Sequence, residues 1–364
     1  MRAIVDAKEF SQALDKVTKV LKRSAVPVLE GVLVQVKGGL CTLTASDWTT
    51  WLTTAIPAEG DDLGFVFPHP KDTARACVHF EGELILETVE TVQGKTSCLQ
   101  LTMSCDPRAA QVMAFLPEDY PAMREEPARH TYMVNAARLL ERVEHVKYAL
   151  MKPDPSTRAQ GTHVQFKGDK VYALDGHRMA WDVDNSLSVR QPFMVLPEAL
   201  GYLKFFGNQE ITANMSENYL QLTDGVTVVQ TRIEGPLVFN IEGAVPKEFQ
   251  EEFHVSPKEF LKELDYLKKL VRSTDKANIV FSGGKLRLYA GSGSYITEIQ
   301  VNGSSSIDFG FDLYYMIDAL RQFRGEDQVK VKVNSPMAPI VLEAEGRGDF
   351  ALVLTVRFKA AAAA

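Results

Sequence analysis

The sequence predicts an α+β fold made of three tandem copies of one unit, in which two helices pack on antiparallel sheets. Three observations predict it. A hairpin pattern, two strand-like runs around a glycine, occurs at residues 34–44, 164–174 and 279–289. An amphipathic helix pattern precedes each hairpin, and a second helix pattern follows each one. Because the same elements recur in the same order, the chain is predicted to contain an internal repeat.

Apolar spacing and capping residues predict the helices. In the first helix, Phe10, Leu14 and Leu21 recur on one face at helical spacing. The third leading helix opens with Ser256 at the cap and Pro257 in its first turn. We therefore expect leading helices at residues 6–23, 135–152 and 257–272, and following helices at 68–77, 197–203 and 312–320.

Segments rich in proline and charge mark the boundaries between the copies. One lies at residues 116–127 and another near 244–252. We expect the first domain at 1–127, the second at 128–248 and the third at 249–358. Residues 359–364, a lysine followed by five alanines, match nothing upstream and are left out of the fold.

The composition excludes several classes of protein. The chain has 364 residues, enough for two or three domains, with 45% apolar and 24% charged side chains. Those values exclude disordered, collagen-like and coiled-coil chains. No apolar run approaches the ~20 residues of a membrane span, and the first residues lack an apolar signal core. We therefore expect a cytoplasmic protein without a membrane partner. The four cysteines form no CxxC pair, which favours reduced thiols.

Motifs of catalysis are mostly absent. The sequence has no phosphate-binding loop, no dinucleotide-binding glycine pattern, no HExxH and no GxSxG. No cofactor or metal is expected. The most reaction-like cluster is residues 175–178, DGHR, directly after a hairpin strand. An enzyme that uses Asp175 and His177 therefore stays open at this point.

Charge is distributed unevenly along the chain. The three leading helices carry fourteen basic and eight acidic side chains, although the net charge of the whole chain is −7. Basic helices on an acidic protein favour loose contact with phosphates. Ordinary solvated helix faces would give the same pattern, so both interpretations stay open.

Several strings resemble one known family. Residues 174–180 read LDGHRMA, close to that family's threonine-aspartate-glycine-(histidine or tyrosine)-arginine-leucine-alanine string. Residues 119–121 (DYP), 309–320 (FGFDLYYMIDAL) and 352–358 (LVLTVRF) match further strings. Together with the three-copy layout, they resemble the bacterial sliding clamps, the beta subunits of DNA polymerase III, over residues 1–358.

The resemblance implies a head-to-tail homodimer that closes a ring of six similar domains around duplex DNA, with the basic helices lining the hole. Such a ring is a processivity factor and not an enzyme, and it needs no cofactor. The implied partners are sequence-independent duplex DNA and a second copy of the chain. The polymerase III alpha subunit, the clamp loader and repair polymerases would each bind the ring through a short peptide motif. The implied location is the nucleoid in the cytoplasm.

The resemblance also implies residue roles. The implied DNA contacts are Lys22, Arg23, Lys152, Arg158, Lys268 and Arg272. Leu99 and Leu101, expected on an edge strand, would face Leu270 and Val271 of the partner across the dimer interface.

A groove for the partner peptide is implied between the second and third copies. Its residues would be Ala159, Leu174, Gly176, His177, Arg178, Met179, Phe239, Gly243, Ala244, Pro336, Leu352 and Leu354. His177 and Arg178 would hold polar groups of the peptide at the rim. The sequence departs from the family here, because VFNI stands at 238–241 where phenylalanine-proline-aspartate-tyrosine is usual, and Gly243 stands where arginine is common. The resemblance therefore does not fix the shape of the pocket or the preferred motif.

Two other hypotheses make different predictions. An enzyme acting at Asp175 and His177 would show turnover that His177→Ala abolishes. A nucleic-acid-binding module without a ring would bind linear and circular DNA equally, whereas a clamp stays on closed circles and slides off free ends.

Overall fold

The structure is a computed structural model that describes residues 1–68, 70, 77–93, 96–152, 154, 157–235, 240–271, 279–282, 286–290, 295–303 and 305–357. The chain packs into two compact units. Unit 1 comprises residues 1–138 and 201–233, and unit 2 comprises residues 139–200 and 234–364. No helix in the described part of the chain is long and apolar enough to cross a membrane.

The first third of the chain belongs to unit 1. Its described elements are β1 (Arg2–Asp6), α1 (Ala7–Val17), β2 (Val32–Lys37), β3 (Leu40–Ser46), β4 (Thr50–Pro57), β5 (Glu59–Gly60), β6 (Leu63–Phe67), β7 (Glu83–Gln93), β8 (Thr96–Cys105) and β9 (Arg108–Ala114). A 3₁₀ turn at Thr18–Val20 extends α1.

The middle of the chain contributes to both units. Its elements are β10 (His130–Asn135), α2 (Ala136–Val146), α3 (Ala159–Thr162), β11 (Val164–Gly168), β12 (Lys170–Leu174), β13 (Arg178–Val183), β14 (Val189–Val195), α4 (Pro197–Leu200), β15 (Glu210–Met215), β16 (Tyr219–Thr223), β17 (Thr227–Glu234) and α5 (Ile241–Ala244).

The last third belongs to unit 2. Its elements are β18 (Glu251–Val255), α6 (Pro257–Leu270), β19 (Ile279–Ser282), β20 (Leu286–Ala290), β21 (Tyr295–Ile299), β22 (Val301–Asn302), β23 (Phe309–Phe311), α7 (Leu313–Arg321), β24 (Val329–Val333), β25 (Ile340–Glu343), β26 (Phe350–Val353) and β27 (Thr355–Val356).

Side-chain caps start the long helices where the strands before them end. Asp6 accepts the N–H of Glu9 at 2.9 Å at the start of α1. Ser256 caps α6 through the N–H of Glu259, and Asp312 caps α7 through the N–H groups of Tyr314 and Tyr315. Each cap satisfies backbone donors that the first helical turn leaves unpaired. The predicted start of α6 is therefore confirmed.

Unit 1 contains two antiparallel sheets among its described residues. One has the strand order β5-β1-β7-β8-β9. The other follows the pairings β6-β2-β3-β4-β17-β16-β15-β10. In that sheet β4 pairs with β17, so a strand from the start of the chain lies against one from its middle.

The described part of unit 2 is also built on two antiparallel sheets. The larger follows β14-β11-β12-β13-β26-β25-β24-β18-β22, and the smaller is β21-β20-β19-β23-β27. Aromatic rings stack in the core under the smaller sheet. The ring centroid of Phe281 is 4.9 Å from that of Phe253 and 4.5 Å from that of Phe309. The pairing of β13 with β26 joins the middle of the chain to its end.

The predicted hairpins are confirmed as β2–β3, β11–β12 and β19–β20. The leading helices are confirmed, but α1 ends at Val17 and α2 at Val146. Each passes into a 3₁₀ turn, short of the predicted residues 23 and 152. Thr18 donates its hydroxyl to the carbonyl of Asp15, a local bond that competes with helix continuation. The following helix at 312–320 is confirmed as α7, whereas the one at 68–77 lies almost entirely outside the described residues.

The division into three domains at 1–127, 128–248 and 249–358 stays a prediction. Each compact unit combines segments from more than one predicted copy.

Candidate functional site

The turn between β12 and β13 is built around a buried aspartate. One carboxylate oxygen of Asp175, Oδ1, accepts the backbone N–H groups of His177 and Arg178, each at 2.9 Å. Gly176 between them has a φ of +84°, where an L side chain would be strained. The DGHR string therefore encodes a tight turn that Asp175 holds in place.

Arg178 is the charged centre of this region of unit 2. Its Nε donates to Asp175 Oδ2 at 3.0 Å, and its Nη1 donates to Asp318 Oδ2 on α7 at 2.8 Å. The guanidinium carbon lies 4.5 Å from the ring centroid of Tyr315 and 5.6 Å from that of Tyr148. A mostly buried guanidinium with two carboxylates and two aromatic faces fixes the β12–β13 turn against α7.

Burial also raises the pKa of the tyrosine hydroxyls around Arg178. Desolvation raises the pKa of the Tyr148 hydroxyl, and the positive charge of Arg178 opposes that rise. Burial likewise raises the pKa of the Tyr315 hydroxyl. Both phenols are therefore neutral at physiological pH, and their rings offer uncharged faces to the guanidinium.

His177 has a different environment from its two neighbours. Its ring is exposed and stacks on Tyr315 at a centroid distance of 5.8 Å and an angle of 19°. The bonds from Asp175 to this residue go to its backbone N–H. Asp175 thus acts on the turn and on Arg178, which accounts for the DGHR string without catalysis. No group of three metal-ligating side chains occurs in the part of the chain that the structure describes.

An apolar cluster lies beside this turn, and we call it the groove cluster. Its buried members are Tyr172, Met179, Ile241, Val341, Phe350 and Leu352, with Leu174, Trp181, Ala244, Val245 and Phe249 packed against them. Strand register assembles it, because Met179 on β13 lies opposite Leu352 on β26, and Leu352 lies opposite Val341 on β25. Trp181 stacks on Phe350 at 4.0 Å between centroids.

Four of the predicted groove residues belong to the groove cluster: Leu174, Met179, Ala244 and Leu352. Leu354 lies next to them, since its N–H donates to the carbonyl of His177 at 2.8 Å, and its side chain is 38% exposed. Ala159 begins α3, and Pro336 is exposed in the turn between β24 and β25. Phe239 lies outside the described residues.

Gly243, one of the departures from the family pattern, lies in α5. Asn240 caps this helix by accepting the N–H of Gly243 at 3.1 Å. A Cβ at position 243 would come within 2.7 Å of the Asn240 amide nitrogen. Glycine therefore fits the asparagine cap, and a larger residue would displace it.

Sequence reasoning missed several members of this site. Tyr172, Trp181 and Phe350 lie two residues from Leu174, Met179 and Leu352, respectively. Residues two apart on a strand share a face, so alternation along each strand would have identified them. Tyr315 and Asp318 carried no such signal, because their proximity to Arg178 depends on how α7 packs.

The predicted DNA-contact residues are all at the surface where they are described. In unit 1, Arg23 is exposed, and Lys22 forms an ion pair with Asp47 Oδ2 at 2.7 Å. In unit 2, Lys152 and Arg158 are exposed, and Lys268 lies over the ring of Tyr314 at 5.2 Å. Arg272 lies outside the described residues.

Not every basic residue of the leading helices is available to a phosphate. Arg142 on α2 donates through Nη1 to Asp182 Oδ2 at 3.1 Å, and His145 Nδ1 lies 2.7 Å from the same oxygen. Asp182 is buried, so this contact holds α2 against β13. Lys19 pairs with Asp15 and Lys147 pairs with Glu144, each an acidic residue one helical turn earlier in the chain. The basic faces are weaker sources of positive charge than the count of residues suggests.

Known proteins are similar to this chain along most of its length. Residues 242–356 match the family model described as "DNA polymerase III beta subunit, C-terminal domain". The Beta sliding clamp of Pseudomonas aeruginosa is 20% identical in an alignment of 357 positions, which covers 92% of this chain and 94% of that protein. The chain is a homologue of the beta sliding clamp, the beta subunit of DNA polymerase III.

Solved structures agree on the fold of this clamp homologue. The DNA polymerase III subunit beta of Pseudomonas aeruginosa superimposes with a TM-score of 0.85 at 17% identity, covering 98% of this chain and 100% of that one. The beta subunit of Streptococcus pyogenes gives 0.86 at 14% identity with the same coverage. The sliding clamp of Bacillus subtilis gives 0.83 at 16% identity, covering 99% and 100%.

The positions predicted for the dimer interface need a correction in this clamp homologue. Leu99 and Leu101 were expected on an edge strand, and that expectation is wrong. They lie on β8, which pairs with β7 on one side and with β9 on the other, and both side chains are buried inside unit 1. The edge strand on this side of the sheet is β9. Leu270 and Val271, at the end of α6, are half-buried, and Val271 packs against the core of unit 2.

The cysteines of the clamp homologue are free thiols, as predicted. Burial raises the pKa of the Cys41 thiol to about 12 and that of Cys77 to about 11. Because the thiolate is the reactive form, these two residues are inert packing groups at physiological pH.

Proposed function

We propose that the chain is a DNA sliding clamp: two copies close a ring around duplex DNA and tether polymerases to it without catalysing a reaction. The observation that carries this proposal is the groove cluster, in which Met179 and Leu352 come together beside an exposed Leu354. These are the positions where the resemblance places the partner peptide. The homology to beta sliding clamps supports the same function.

The groove cluster has the chemistry that a short peptide with apolar anchors needs. Leu174, Trp181 and Ala244 are only partly buried, so their apolar surface is available to a ligand. Burying a few large apolar side chains in a preformed pocket gives most of the affinity of such a peptide. The peptide would come from the polymerase III alpha subunit, the clamp loader or a repair polymerase. Exposed His177 at the rim is available for its polar groups, whereas two guanidinium nitrogens of Arg178 already bind carboxylates.

Each unit would contact DNA weakly, through isolated basic side chains. Replacing Arg23 by glutamine is expected to lower the slope of log affinity against log salt concentration by about one, because one phosphate contact is lost. The measurement is binding to a labelled duplex over a series of salt concentrations. Lys37→Gln, which removes an exposed cation from β2, is the control and should leave the slope unchanged. Equal slopes for Arg23→Gln and the original chain would show that Arg23 is ordinary solvated surface.

Two sheet edges of the chain are suited to ring closure. The outer edge of β9 is unpaired among the described residues and presents Met113, and the outer edge of β21 presents Tyr295 and Ile296. Open strand edges with exposed apolar side chains are prone to pair with another chain. We place the dimer contact between β9 of one copy and β21 of the other, with the end of α6 beside it.

Charged substitutions at these edges are expected to shift the dimer to monomer. Met113→Lys and Ile296→Lys should each weaken dimerisation about tenfold or more, since burying a large apolar side chain contributes about 1.5–3 kcal/mol. Leu270→Ala combined with Val271→Ala should act in the same direction. Sedimentation velocity over a concentration series is the measurement. Val89→Lys, at an exposed position on the inner strand β7, is the control. A dimer unchanged in all three variants would place the contact elsewhere.

Retention on circular DNA tests the proposed function directly. A chain loaded by its clamp loader onto nicked circular DNA should stay bound through gel filtration and be lost once the circle is linearised. Equal retention on both forms would favour a nucleic-acid-binding module without a ring. Turnover abolished by His177→Ala would favour the enzyme.

A further inference from the structure

The hairpin tip between β3 and β4 presents an exposed tryptophan in a strained conformation. Trp48 has a φ of +71°, the left-handed region that bulky L residues rarely adopt, and its side chain is 51% exposed. It is the only non-glycine residue with positive φ in the part of the chain that the structure describes. The backbone conformation is strained, and the exposed aromatic side chain adds little to a core. This combination indicates a role in binding.

Hydrogen bonds fix the backbone around Trp48. Asp47 Oδ1 accepts the N–H groups of Thr49 and Thr50 at 3.1 and 2.8 Å, and the Trp48 N–H donates to Ser46 Oγ at 3.0 Å. The Thr49 carbonyl accepts the N–H of Arg232 on β17 at 3.0 Å. The backbone of the tip is therefore fixed on both sides, which keeps Trp48 at an exposed position.

Basic residues lie in the segments of unit 1 that contact this tip. Lys22 pairs with Asp47 at 2.7 Å, and Arg23 follows it in the chain with an exposed side chain. Arg232, whose backbone bonds to Thr49, is also exposed. A flat aromatic face among cations is the combination that binds single-stranded nucleic acid, in which the cations follow the phosphates and the ring stacks on a base.

We propose that Trp48 stacks on an unpaired base of single-stranded DNA, with Arg23 and Arg232 at the phosphates. A duplex does not offer such a base face, because each base is covered by its neighbours in the stack. The ligand would be the single-stranded template that continues from the duplex held by a clamp. The inference rests on the proposed function, and it adds a second form of DNA that the chain recognises.

Intrinsic fluorescence can report this contact because the chain has three tryptophans, of which Trp48 is the most exposed. Trp51 is buried, and Trp181 is half-buried and stacked on Phe350. At low salt, oligodeoxythymidylate of about 20 nucleotides is expected to quench the emission of the original chain in a saturable way. A blunt duplex of similar charge should not quench it. Equal quenching by both DNAs would overturn the assignment to single strands.

Two substitutions distinguish aromatic stacking from the effect of apolar side-chain volume. Trp48→Phe keeps an aromatic face and should bind a labelled oligodeoxythymidylate within about threefold of the original affinity, while its emission no longer changes on binding. Trp48→Leu keeps apolar volume without a ring and should lose at least about fivefold in affinity. Unchanged affinity for Trp48→Leu would overturn the inference.

A third substitution tests whether Trp48 is present for stability. Glycine adopts this φ without strain, so Trp48→Gly should raise the thermal midpoint of unfolding and still lose affinity for the oligonucleotide. A lower midpoint would show that the indole is there for packing and would overturn the inference.

The outcomes for Trp48 and for the clamp are distinguishable. If Trp48→Leu binds single strands normally while the original chain stays on nicked circles, the inference fails and the proposed function stands. If the chain binds single strands through Trp48 but is not retained on circles, the proposed function fails.

Discussion

Arg178→Met is expected to destabilise the chain by about 3 kcal/mol. The substitution leaves the buried carboxylate of Asp175 and the partly buried one of Asp318 without their shared cation, and an unpaired buried charge costs several kcal/mol. It also removes the guanidinium from the faces of Tyr315 and Tyr148. Urea denaturation followed by circular dichroism should show the loss as a lower midpoint.

Arg321→Met is the matched control for this prediction. Arg321 binds the same aspartate, with Nη1 3.3 Å from Asp318 Oδ1, but its side chain is 52% exposed whereas that of Arg178 is 10% exposed. Exposed ion pairs contribute about 0–1 kcal/mol, so the control should change stability very little. Similar losses in both variants would show that burial of Arg178 does not determine its contribution.

Leu354→Lys is expected to abolish binding of a clamp-binding peptide while the fold persists. Leu354 is partly exposed beside the groove cluster, so a lysine there is tolerated in the free chain. A bound peptide would bury its ammonium group next to apolar anchors without a partner, which is unfavourable. The expected loss of affinity is at least about 30-fold, the size of a binding hot spot. Isothermal titration calorimetry with the clamp-binding peptide of the host's polymerase is the measurement.

The control for this prediction is Val226→Lys, at an exposed apolar position in the turn between β16 and β17 of unit 1. It makes the same chemical change away from the groove cluster and should bind the peptide normally. Thermal unfolding of both variants establishes that each is folded. Normal binding by Leu354→Lys would place the peptide elsewhere on the chain.

Met179 is less suitable for such a test. It is buried on β13, the strand between β12 and β26. A lysine there would therefore place a charge in the core beside the sheet and disturb folding itself. The structure therefore decides which of two neighbouring groove positions can separate binding from stability.

The local elements of this protein could be predicted from the sequence. The three hairpins follow from alternation over a few residues around a glycine, and both signals are local. Ser256 and Pro257 start α6 for equally local reasons, since a cap bonds to backbone groups within three residues of itself. The likeness of residues 174–180 to the clamp family was also readable, because the DGHR string encodes a turn in which Asp175 bonds to its own neighbours.

The tertiary structure alone decided the contacts between distant segments. Leu99 and Leu101 have the alternation of a strand, but whether that strand is an edge depends on β9 folding back beside it. Arg178 looked like a free binding residue until the packing of α7 placed Asp318 2.8 Å away. The sequence by itself determined the elements and the family resemblance, because these depend on neighbouring residues. Only the fold decided which side chains remain available for ligands, because pairing and burial depend on residues far apart in the chain.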